Sequence, residues 1–285
     1  MKHKRGRTIS IYIPDANPRS IKICDIKDSI VKAIFIPRNK LAEASKRKEL
    51  QDPGIYFLIG EKNGLGKPKI YIGEAEVLLT RIKQHNQSKD FWNSVICFVS
   101  EKKNINKAHI KYLENHACNE AKRINKCELE NNTNPTQSSL TEQDEDFVLS
   151  FFDDLKLLIA TLGFPIFEES KKEVSNIFYC KGKDAFAEGE YTADGFVVFR
   201  GSKANLNETE TAGSWVIGMR KKLIEKNILK QENNVYVFTE DYTFSSPSAS
   251  AAVVLARKAN GWIEWKDKDG KTMDEKIRKN NRTKE

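Results

Sequence analysis

The amino-acid sequence predicts an α/β fold of the α+β type, with strands and helices spread over about two domains. A chain of 285 residues is long enough to bury two hydrophobic cores. Its composition, 39% hydrophobic and 31% charged, is typical of a folded globular protein rather than a disordered one. Short β-branched runs between turn residues predict strands, and apolar residues at helical spacing predict helices.

Residues 1–50 are predicted to form a basic, strand-rich N-terminal extension. After the basic run MKHKRGR, the segments TISIYI and IVKAIFI read as strands separated by turn residues, and LAEASKRKEL reads as a short helix. This region holds 13 Lys and Arg against 5 Asp and Glu, compared with 14 against 17 in residues 51–168 and 21 against 18 in residues 169–285. We therefore expect the basic flanks to bind any polyanionic partner, although solubility alone would also explain their charge.

The stretch GIYFLIGEKNGLGKPKIYIG, from Gly54 to Gly73, predicts a β-hairpin at the start of residues 51–168. Two strands flank a loop rich in Gly and Lys, which is a hairpin signal with a longer turn. Aliphatic residues alternate with Tyr56 in the first strand and with Tyr71 in the second. Each strand is expected to turn its aliphatic residues towards the core and its tyrosine away from it. An ordinary cross-strand aromatic pair would give the same pattern.

Two helices and a third strand are predicted after the hairpin. EVLLTRIKQH places Arg81 and His85 one turn apart on a helix, and the strand from Ser94 to Ser100 follows. In the next helix, KAHIKYLENHACNEAKRI, Glu114 lies on the inward apolar stripe. A carboxylate there is costly unless it is paired or binds a cation, so a salt bridge with Arg81 and a metal site are both consistent with the pattern.

A polar loop and a long amphipathic helix are predicted to end this domain. The loop covers ELENNTNPTQSSLTEQDED, and either Ser139 or Thr141 is suited to cap the helix that follows. That helix, DFVLSFFDDLKLLIATLGF, is expected to pack across the sheet and to stop at Gly163.

Residues 169–285 are predicted to form a second α+β domain with a basic tail. Strands are expected in IFYCKG, GEYTADGFVVFRGS and NVYVFTEDYTF, a helix in GSWVIGMRKKLIEKNIL, and then a capped helix and a hairpin around Asp269-Gly270. A set of basic and aromatic residues would suit a surface that follows phosphates, although solvated helix faces and core tryptophans would explain it as well: Arg220, Lys221, Lys222, Lys226, Lys230, Trp262, Trp265, Lys266 and Lys268.

Several classes of protein lack support in the sequence. The five cysteines are odd in number and never spaced as C-x-x-C, which argues against a disulfide scaffold and a zinc ribbon. No P-loop, dinucleotide-binding, metalloprotease or esterase motif occurs. The longest apolar run is too short to cross a bilayer, and the basic N-terminus lacks the apolar stretch of a signal peptide. We therefore expect a cytoplasmic protein with no membrane partner.

The hairpin and the helices after it resemble the signature of the GIY-YIG nuclease superfamily. Four pieces occur in the superfamily's order: the GIY triplet with Tyr56, the YIG triplet with Tyr71, the helix with Arg81 and His85, and the later helix with Glu114. The resemblance covers roughly residues 53–135 and implies a three-stranded antiparallel sheet flanked by helices. The loop between the triplets, 14 residues from Phe57 to Ile70, is somewhat longer than is usual in the superfamily.

The resemblance implies an endonuclease that hydrolyses phosphodiester bonds of nucleic acid, with DNA as the expected substrate and Mg²⁺ or Mn²⁺ as the cofactor. It implies that Glu114 binds the metal ion and that Arg81 stabilises charge in the transition state. Tyr56 would position or deprotonate the attacking water, and Tyr71 and His85 would support proton transfer. A degenerate scaffold that binds nucleic acid without cutting it, and an RNA-processing nuclease, are the alternatives.

Two further assignments come from resemblance alone. Asn131 lies near the position at which the superfamily often has an asparagine that braces the active site, and Asn132 and Asn134 are close rivals. In the C-terminal part, GFVVFRGSKAN and SPSASAAVVLARKANGWIEWK resemble a domain of unknown function, family 4357, that frequently follows GIY-YIG domains. That second resemblance names no activity.

Overall fold

The structure of the chain, a computed structural model, describes residues 6–63, 66–131, 133, 135–168 and 177–279. It divides into two units, Met1–Glu169 and Ser170–Glu285. Each unit contains one mixed or antiparallel β-sheet with helices packed on it, so the predicted α+β class is confirmed. No helix in these ranges is both long and apolar enough to span a membrane.

The sheet of the first unit has seven strands: β1 (Ile9–Tyr12), β2 (Lys22–Ile26), β3 (Val31–Pro37), β4 (Gly54–Lys62), β5 (Pro68–Ala75), β6 (Trp92–Ser100) and β7 (Glu128–Leu129). They lie in the order β1-β2-β3-β6-β4-β5-β7. The predicted hairpin is strands β4 and β5, in which Tyr56 lies opposite Gly73 and Leu58 opposite Tyr71. All neighbouring strands are antiparallel except β5 and β7, which pair in parallel.

The sequence predicted a three-stranded sheet and a separate N-terminal extension. The prediction for the sheet is wrong, because the sheet has seven strands and includes those of the N-terminal residues. Strands β6, β4 and β5 do lie side by side, but β3 pairs with β6 over seven positions, from Val31 opposite Ser100 to Pro37 opposite Ser94. Strand β6 is apolar on both faces, and an unpaired edge on such a strand would expose a row of backbone donors and acceptors. The N-terminal strands therefore complete the same sheet.

The helices of the first unit cover both faces of its sheet. On one face, α3 (Lys107–Ile124) and α4 (Glu142–Thr161) share a hydrophobic core with Ile55, Phe57 and Ile72. On the other face, α1 (Leu41–Ala44) and α2 (Leu78–Ser88) form a second core that contains Tyr56 and Leu58. The expectation that the tyrosines face away from the core is therefore wrong for Tyr56, which is 0% exposed.

The ends of the long helices follow local capping rules. Asn106 caps α3 in a reciprocal pair with His109, and Asn125 ends it in the left-handed conformation. Helix α4 begins after Thr141, whose hydroxyl accepts a hydrogen bond from the N–H of Asp144 at 3.2 Å. Of the two caps suggested by the sequence, Thr141 is the one used. The helix ends at Thr161, and Gly163 follows with φ of +98°, a conformation that favours glycine.

The sheet of the second unit also has seven strands: β8 (Ile177–Lys181), β9 (Phe186–Thr192), β10 (Gly195–Val198), β11 (Lys203–Asn205), β12 (Leu229–Glu232), β13 (Val235–Phe238) and β14 (Tyr242–Phe244). The order is β12-β13-β11-β9-β10-β14, and β8 lies off this path and also pairs with β9. The α-helices of this unit are α5 (Ser214–Glu225), α6 (Pro247–Leu255) and α7 (Gly261–Glu264), and a π-helix covers Asp274–Lys279. The chain reverses at Asp269-Gly270, as predicted, so that Lys266 pairs with Thr272.

Two residues of the predicted phosphate-following surface belong instead to the interior of this unit. Arg220 is 0% exposed, and its guanidinium donates to the carbonyl oxygen of Val253 at 2.6 Å and to the carboxylate of Glu208 at 2.8 Å. Trp265 is also 0% exposed, and its indole N–H lies 3.0 Å from Oγ of Ser250. Their polar groups are satisfied by the fold, so these two side chains cannot contact a nucleic acid.

Candidate active site

Tyr56, Tyr71 and His85 form a cluster of three rings on the α2 side of the first sheet. The Tyr56 hydroxyl shares a hydrogen bond of 2.7 Å with Nε2 of His85. The His85 ring centroid lies 5.6 Å from that of Tyr56 and 5.1 Å from that of Tyr71. Helix α2 places His85 there because its Leu78 and Ile82 are buried against the sheet, which turns the last helical turn towards the hairpin. This Tyr-His-Tyr cluster is the centre of the candidate site.

Gly73, the glycine of the YIG triplet, makes room for the Tyr56 ring. It lies directly opposite Tyr56 in the hairpin. A Cβ atom on Gly73 would lie 2.3 Å from the Tyr56 hydroxyl and 2.4 Å from the adjacent ring carbon, far inside van der Waals contact. Any side chain larger than hydrogen at this position would therefore push Tyr56 away from His85.

We expect Gly73→Ala to displace the Tyr56 ring, to destabilise the protein by about 1–3 kcal/mol and to expose His85 to water. Urea denaturation measures the free energy of unfolding, and the NMR titration of His85 measures its environment. Burial lowers the pKa of His85 to about 4, so displacement of Tyr56 should raise it towards its ordinary value near 6.5. Gly213→Ala is the control, because nothing lies within 4 Å of the added Cβ there. An unchanged His85 titration in Gly73→Ala would contradict this packing.

The cluster is uncharged at neutral pH. Burial lowers the pKa of His85 to about 4, and the positive charges of Arg81 and Lys89 act in the same direction. Burial raises the pKa of Tyr56 far above 10, and the negative charge of ionised Tyr71 would raise it further, whereas Arg81 lowers it. Burial and Glu114 likewise raise the pKa of Tyr71. Both phenols therefore keep their protons, and the His85 imidazole is neutral.

Arg81 provides a cation at the exposed side of the cluster. It lies one turn before His85 on α2, as the sequence predicted, and its guanidinium donates to Oε1 of Gln84 at 3.2 Å. Burial lowers the pKa of Arg81, but its interactions with the Tyr56 and Tyr71 side chains outweigh it and the net shift is upward. Arg81 is therefore a permanent positive charge beside two hydroxyl groups.

Glu114 on α3 is half-buried, and its carboxylate is close enough to Tyr56 and Tyr71 to raise their pKa values. Burial raises the pKa of Glu114 to about 7. The charge of Glu74, which follows the YIG triplet, raises it further, while the backbone N–H of Glu74 and the charges of Arg81 and Lys111 partly offset the rise. No ion pair joins Glu114 to Arg81 among the residues described. The salt bridge considered from the sequence is therefore not formed.

The donor set at Glu114 suits a hard cation with few protein ligands. Within the described part of the chain, no three His, Cys, Asp or Glu side chains are grouped to hold a metal ion. Mg²⁺ commonly binds one or two carboxylates and keeps several waters, whereas structural zinc sites need four closely placed ligands. The half-buried carboxylate of Glu114, with Glu74 beside it, therefore fits Mg²⁺ or Mn²⁺ and does not fit a structural zinc ion.

Asn131 braces strand β5 between Tyr71 and Gly73. Its side-chain oxygen accepts a hydrogen bond from the N–H of Ile72 at 2.9 Å, and its side-chain amide donates to the Ile72 carbonyl at 2.7 Å. The side chain thus extends the short ladder of β5 with β7 by one position. It touches backbone rather than the ring cluster, so Asn131 is a positioning residue. Asn132 and Asn134, its rivals in the sequence analysis, lie outside the described residues.

Two residues that the sequence analysis did not select also lie at the site. Glu74 contributes both charge and a backbone N–H at Glu114, and Nζ of Lys89 lies 4.6 Å from the centre of the Tyr71 ring. Lys89 follows Arg81 and His85 at intervals of four residues, and Glu74 follows the YIG triplet directly. Helical spacing from known members of the site would therefore have identified Lys89.

Comparison with known proteins identifies only the second unit. Residues 178–277 match a family described as a domain of unknown function, DUF4357. The match confirms the resemblance noted for the C-terminal part of the sequence. Neither a curated protein nor a solved structure matches the chain. Because the family match does not include the Tyr-His-Tyr cluster, the resemblance of that cluster to GIY-YIG nucleases stays a prediction.

Proposed function

We propose that the first unit is a GIY-YIG-type endonuclease that hydrolyses phosphodiester bonds in nucleic acid, with DNA as its expected substrate. One observation carries the proposal: β4, β5 and α2 bring Tyr56, Tyr71, His85 and Arg81 together, and Glu114 of α3 lies near enough to raise the pKa of both tyrosines. Phosphodiester hydrolysis needs a group that orients water, a cation that stabilises the transition state and a site for a metal ion. These five side chains supply all three.

The charge of the first unit supports a polyanionic substrate. Residues 51–168 alone carry a formal charge of −3, from 14 Lys and Arg against 17 Asp and Glu. Because strands β1–β3 belong to the same sheet, the unit also includes the basic N-terminal residues, and residues 1–168 hold 27 Lys and Arg against 22 Asp and Glu. The resulting charge of +5 attracts a phosphate backbone at long range.

Arg81 is suited to bind the phosphate that is cleaved. A guanidinium keeps its charge at any physiological pH and can donate two parallel hydrogen bonds to phosphate oxygens. It lies close enough to Tyr56 and Tyr71 for their side chains to shift its pKa, and it is exposed, so that it is open to substrate. In the transition state, where negative charge on the phosphoryl oxygens increases, Arg81 contributes most to the rate.

Tyr56 and His85 are suited to position the attacking water and to move its proton. Because Tyr56 keeps its proton, its hydroxyl orients the water and passes a proton on rather than acting as an anionic base. Nε2 of His85, 2.7 Å from that hydroxyl, is the next proton site. The pKa of His85 is held near 4 partly by Arg81 and Lys89, so a bound phosphate that compensates these charges raises its basicity when substrate is present.

Glu114 is the residue that would hold the divalent ion. When bound, Mg²⁺ or Mn²⁺ supplies Lewis-acid stabilisation of the phosphate oxygens. Without a cation, the carboxylate is half-buried beside Glu74 and ionises reluctantly. A positive charge at this position lowers its pKa and favours the ionised form.

A cleavage assay on the full chain tests the proposal. Supercoiled plasmid and a structured RNA are each incubated with the protein, in Mg²⁺ and in EDTA. We expect Mg²⁺-dependent nicking of the plasmid, and we expect Arg81→Ala to slow it by about 10²- to 10³-fold. Arg123→Ala is the matched control, because Arg123 is an exposed arginine of α3 paired with Glu120 at 2.8 Å.

The same assay separates the two alternative functions. If the RNA is cut and the plasmid is not, the protein is an RNA-processing nuclease. If neither is cut although both are bound, the first unit is a degenerate binding module. Equal cleavage by the parent and by Arg81→Ala would show that the activity does not arise at this site.

A further inference from the structure

Part of one face of the sheet in the second unit is exposed, over β8, the start of β9, β11, β12 and β13, whereas Glu190 and Val197 farther along the same face are buried. Strand β8 shows this most simply, because Phe178 and Cys180 are buried, Tyr179 is half-buried and Lys181 is exposed. The same alternation is present at the start of β9, where Ala187 is buried beside Phe186, which is 43% exposed. We call this exposed part the open face; it presents Tyr179, Lys181, Phe186, Lys203, Lys230 and Val237.

A row of lysines and one aromatic ring crosses the open face. Residues directly opposite each other in neighbouring strands lie on the same face. The register places Lys181 opposite Phe186, Phe186 opposite Lys203, Lys203 opposite Val237, and Val237 opposite Lys230. The exposed Phe186 ring therefore has a lysine on each side, and Nζ of Lys181 lies 5.7 Å from its centre.

A second aromatic ring and a recess lie beside this row. Tyr179 is paired with Lys266, and its ring centroid lies 6.1 Å from that of Phe186. Next to the two rings is a cavity of about 420 Å³, which is also lined by Lys266 and Lys268. This volume is within the range of small-ligand sites, and its walls combine flat apolar surface with cationic groups.

The open face has an excess of positive charge. Among the described residues, no ion pair involves Lys181, Lys203, Lys230, Lys266 or Lys268. The two acidic residues that line the cavity are neutralised elsewhere, because Glu264 pairs with Arg257 at 2.8 Å and Asp267 with Lys276 at 3.4 Å. Glu188, Glu190 and Glu232 also lie on this side of the sheet, and the five lysines of the row and the cavity outnumber them.

We propose that the open face binds single-stranded nucleic acid. A single strand presents unpaired bases that stack on exposed aromatic rings and a phosphate backbone that lysines bind. Phe186 and Tyr179 supply the stacking surfaces, and the lysines on either side supply the phosphate contacts. A duplex keeps its bases stacked inside and cannot use these rings, and an acidic peptide would need the lysines alone. This binding site lies in the domain of unknown function and does not depend on cleavage by the first unit.

The test measures binding without cleavage. The full chain carrying Glu114→Gln is titrated, in EDTA, into a fluorescein-labelled oligothymidylate of about 15 nucleotides, and fluorescence anisotropy gives Kd. Phe186→Ala should weaken binding by roughly 5- to 100-fold, the usual effect of losing one stacking ring, and Phe186→Tyr should restore it. Trp215→Ala is the matched control, since Trp215 is 51% exposed on α5, away from the open face.

The phosphate contacts are tested by salt dependence. Replacing Lys181, Lys203 and Lys230 together by alanine should reduce the slope of log K against log salt by about 2, or about 0.7 for each lost contact on a single strand. The control replaces Lys221, Lys222 and Lys226, in and just after the second half of α5, by alanine. This variant should reduce the slope by less than the variant of Lys181, Lys203 and Lys230 does.

Four results would overturn the proposal. Unchanged affinity in both Phe186→Ala and the lysine variant would exclude the open face as a binding site. Equal competition by a duplex of the same length would exclude single-strand recognition. Displacement of the oligothymidylate by the same concentration of thymidine monophosphate would indicate that the site binds a free nucleotide. Displacement of the oligothymidylate by polyglutamate would indicate that the site binds an acidic peptide.

Discussion

Glu114→Gln is expected to reduce Mg²⁺-dependent cleavage by about 10³-fold or more. The substitution keeps the size and hydrogen-bonding capacity of the side chain but removes the negative charge that would hold the divalent ion. Glu114 makes no ion pair with Arg81 in the described structure, so its charge has no evident role in holding the fold together. Single-turnover nicking of plasmid in excess Mg²⁺ measures the effect on the chemical step.

Glu120→Gln is the control for this experiment, because it removes a carboxylate from the same helix, at a position paired with Arg123. It should leave the cleavage rate within about twofold of the parent, as surface ion pairs contribute little. Nucleic-acid binding in EDTA should be similar in both variants. Parental cleavage by Glu114→Gln would remove Glu114 from the metal site.

The same residue should give the metal-free protein a characteristic pH dependence. Burial raises the pKa of Glu114 in the folded state to about 7, above the ordinary 4.5 of the unfolded chain. The parent therefore loses stability as pH rises through this interval, because the folded state holds its proton more tightly than the unfolded state. Glutamine has no proton to lose, so Glu114→Gln should be more stable than the parent above pH 7, by about 1–3 kcal/mol.

Near pH 4 the carboxyl group is largely protonated in both states, and most of this advantage of the glutamine variant should disappear. Urea denaturation in EDTA at the two pH values measures the difference. If the difference in free energy of unfolding between the variant and the parent is the same at both pH values, Glu114 does not carry an uncompensated charge in the folded protein. This readout is independent of cleavage, so it tests the burial of Glu114 even if the proposed activity is wrong.

Tyr56→Phe is expected to lower cleavage by about 10²- to 10⁴-fold, the range of a lost proton-transfer group. The ring stays in place, but the hydroxyl that would orient water and contact His85 is lost. Since Tyr56 is 0% exposed and His85 is 5% exposed, the substitution also leaves Nε2 of His85 without its partner in a buried position. We therefore expect the free energy of unfolding to fall by about 1–2 kcal/mol.

Tyr112→Phe separates the loss of stability from the loss of activity. Tyr112 is buried in the opposite hydrophobic core, and its hydroxyl donates to Glu145 of α4. Its removal should cost a comparable amount of stability and leave cleavage unchanged. If Tyr56→Phe loses stability in the same way and still cleaves at the parental rate, Tyr56 is a packing residue whose hydroxyl has no part in the chemistry.

Local sequence patterns were sufficient to predict the hairpin, the main helices and several residues of the candidate site. Alternation and turn residues predicted the hairpin of β4 and β5, and helical spacing placed Arg81 and His85 on one helix and Glu114 on another. Thr141 was one of two caps suggested for α4, and the chain reversal at Asp269-Gly270 was predicted directly. These features depend on residues a few positions apart, whose preferences are expressed along the chain itself.

The tertiary structure decided which faces are covered and which edges are paired. The alternation in GIYFLIG is the same whether one face or both faces are buried, so only the packing of α2 shows that Tyr56 lies inside a second core. The joining of β3 to β6, the closeness of Glu74 to Glu114, and the burial of Arg220 depend on residues far apart in sequence. Short-range periodicity specifies the direction of a side chain, whereas the partner that it meets is set by long-range pairing and packing.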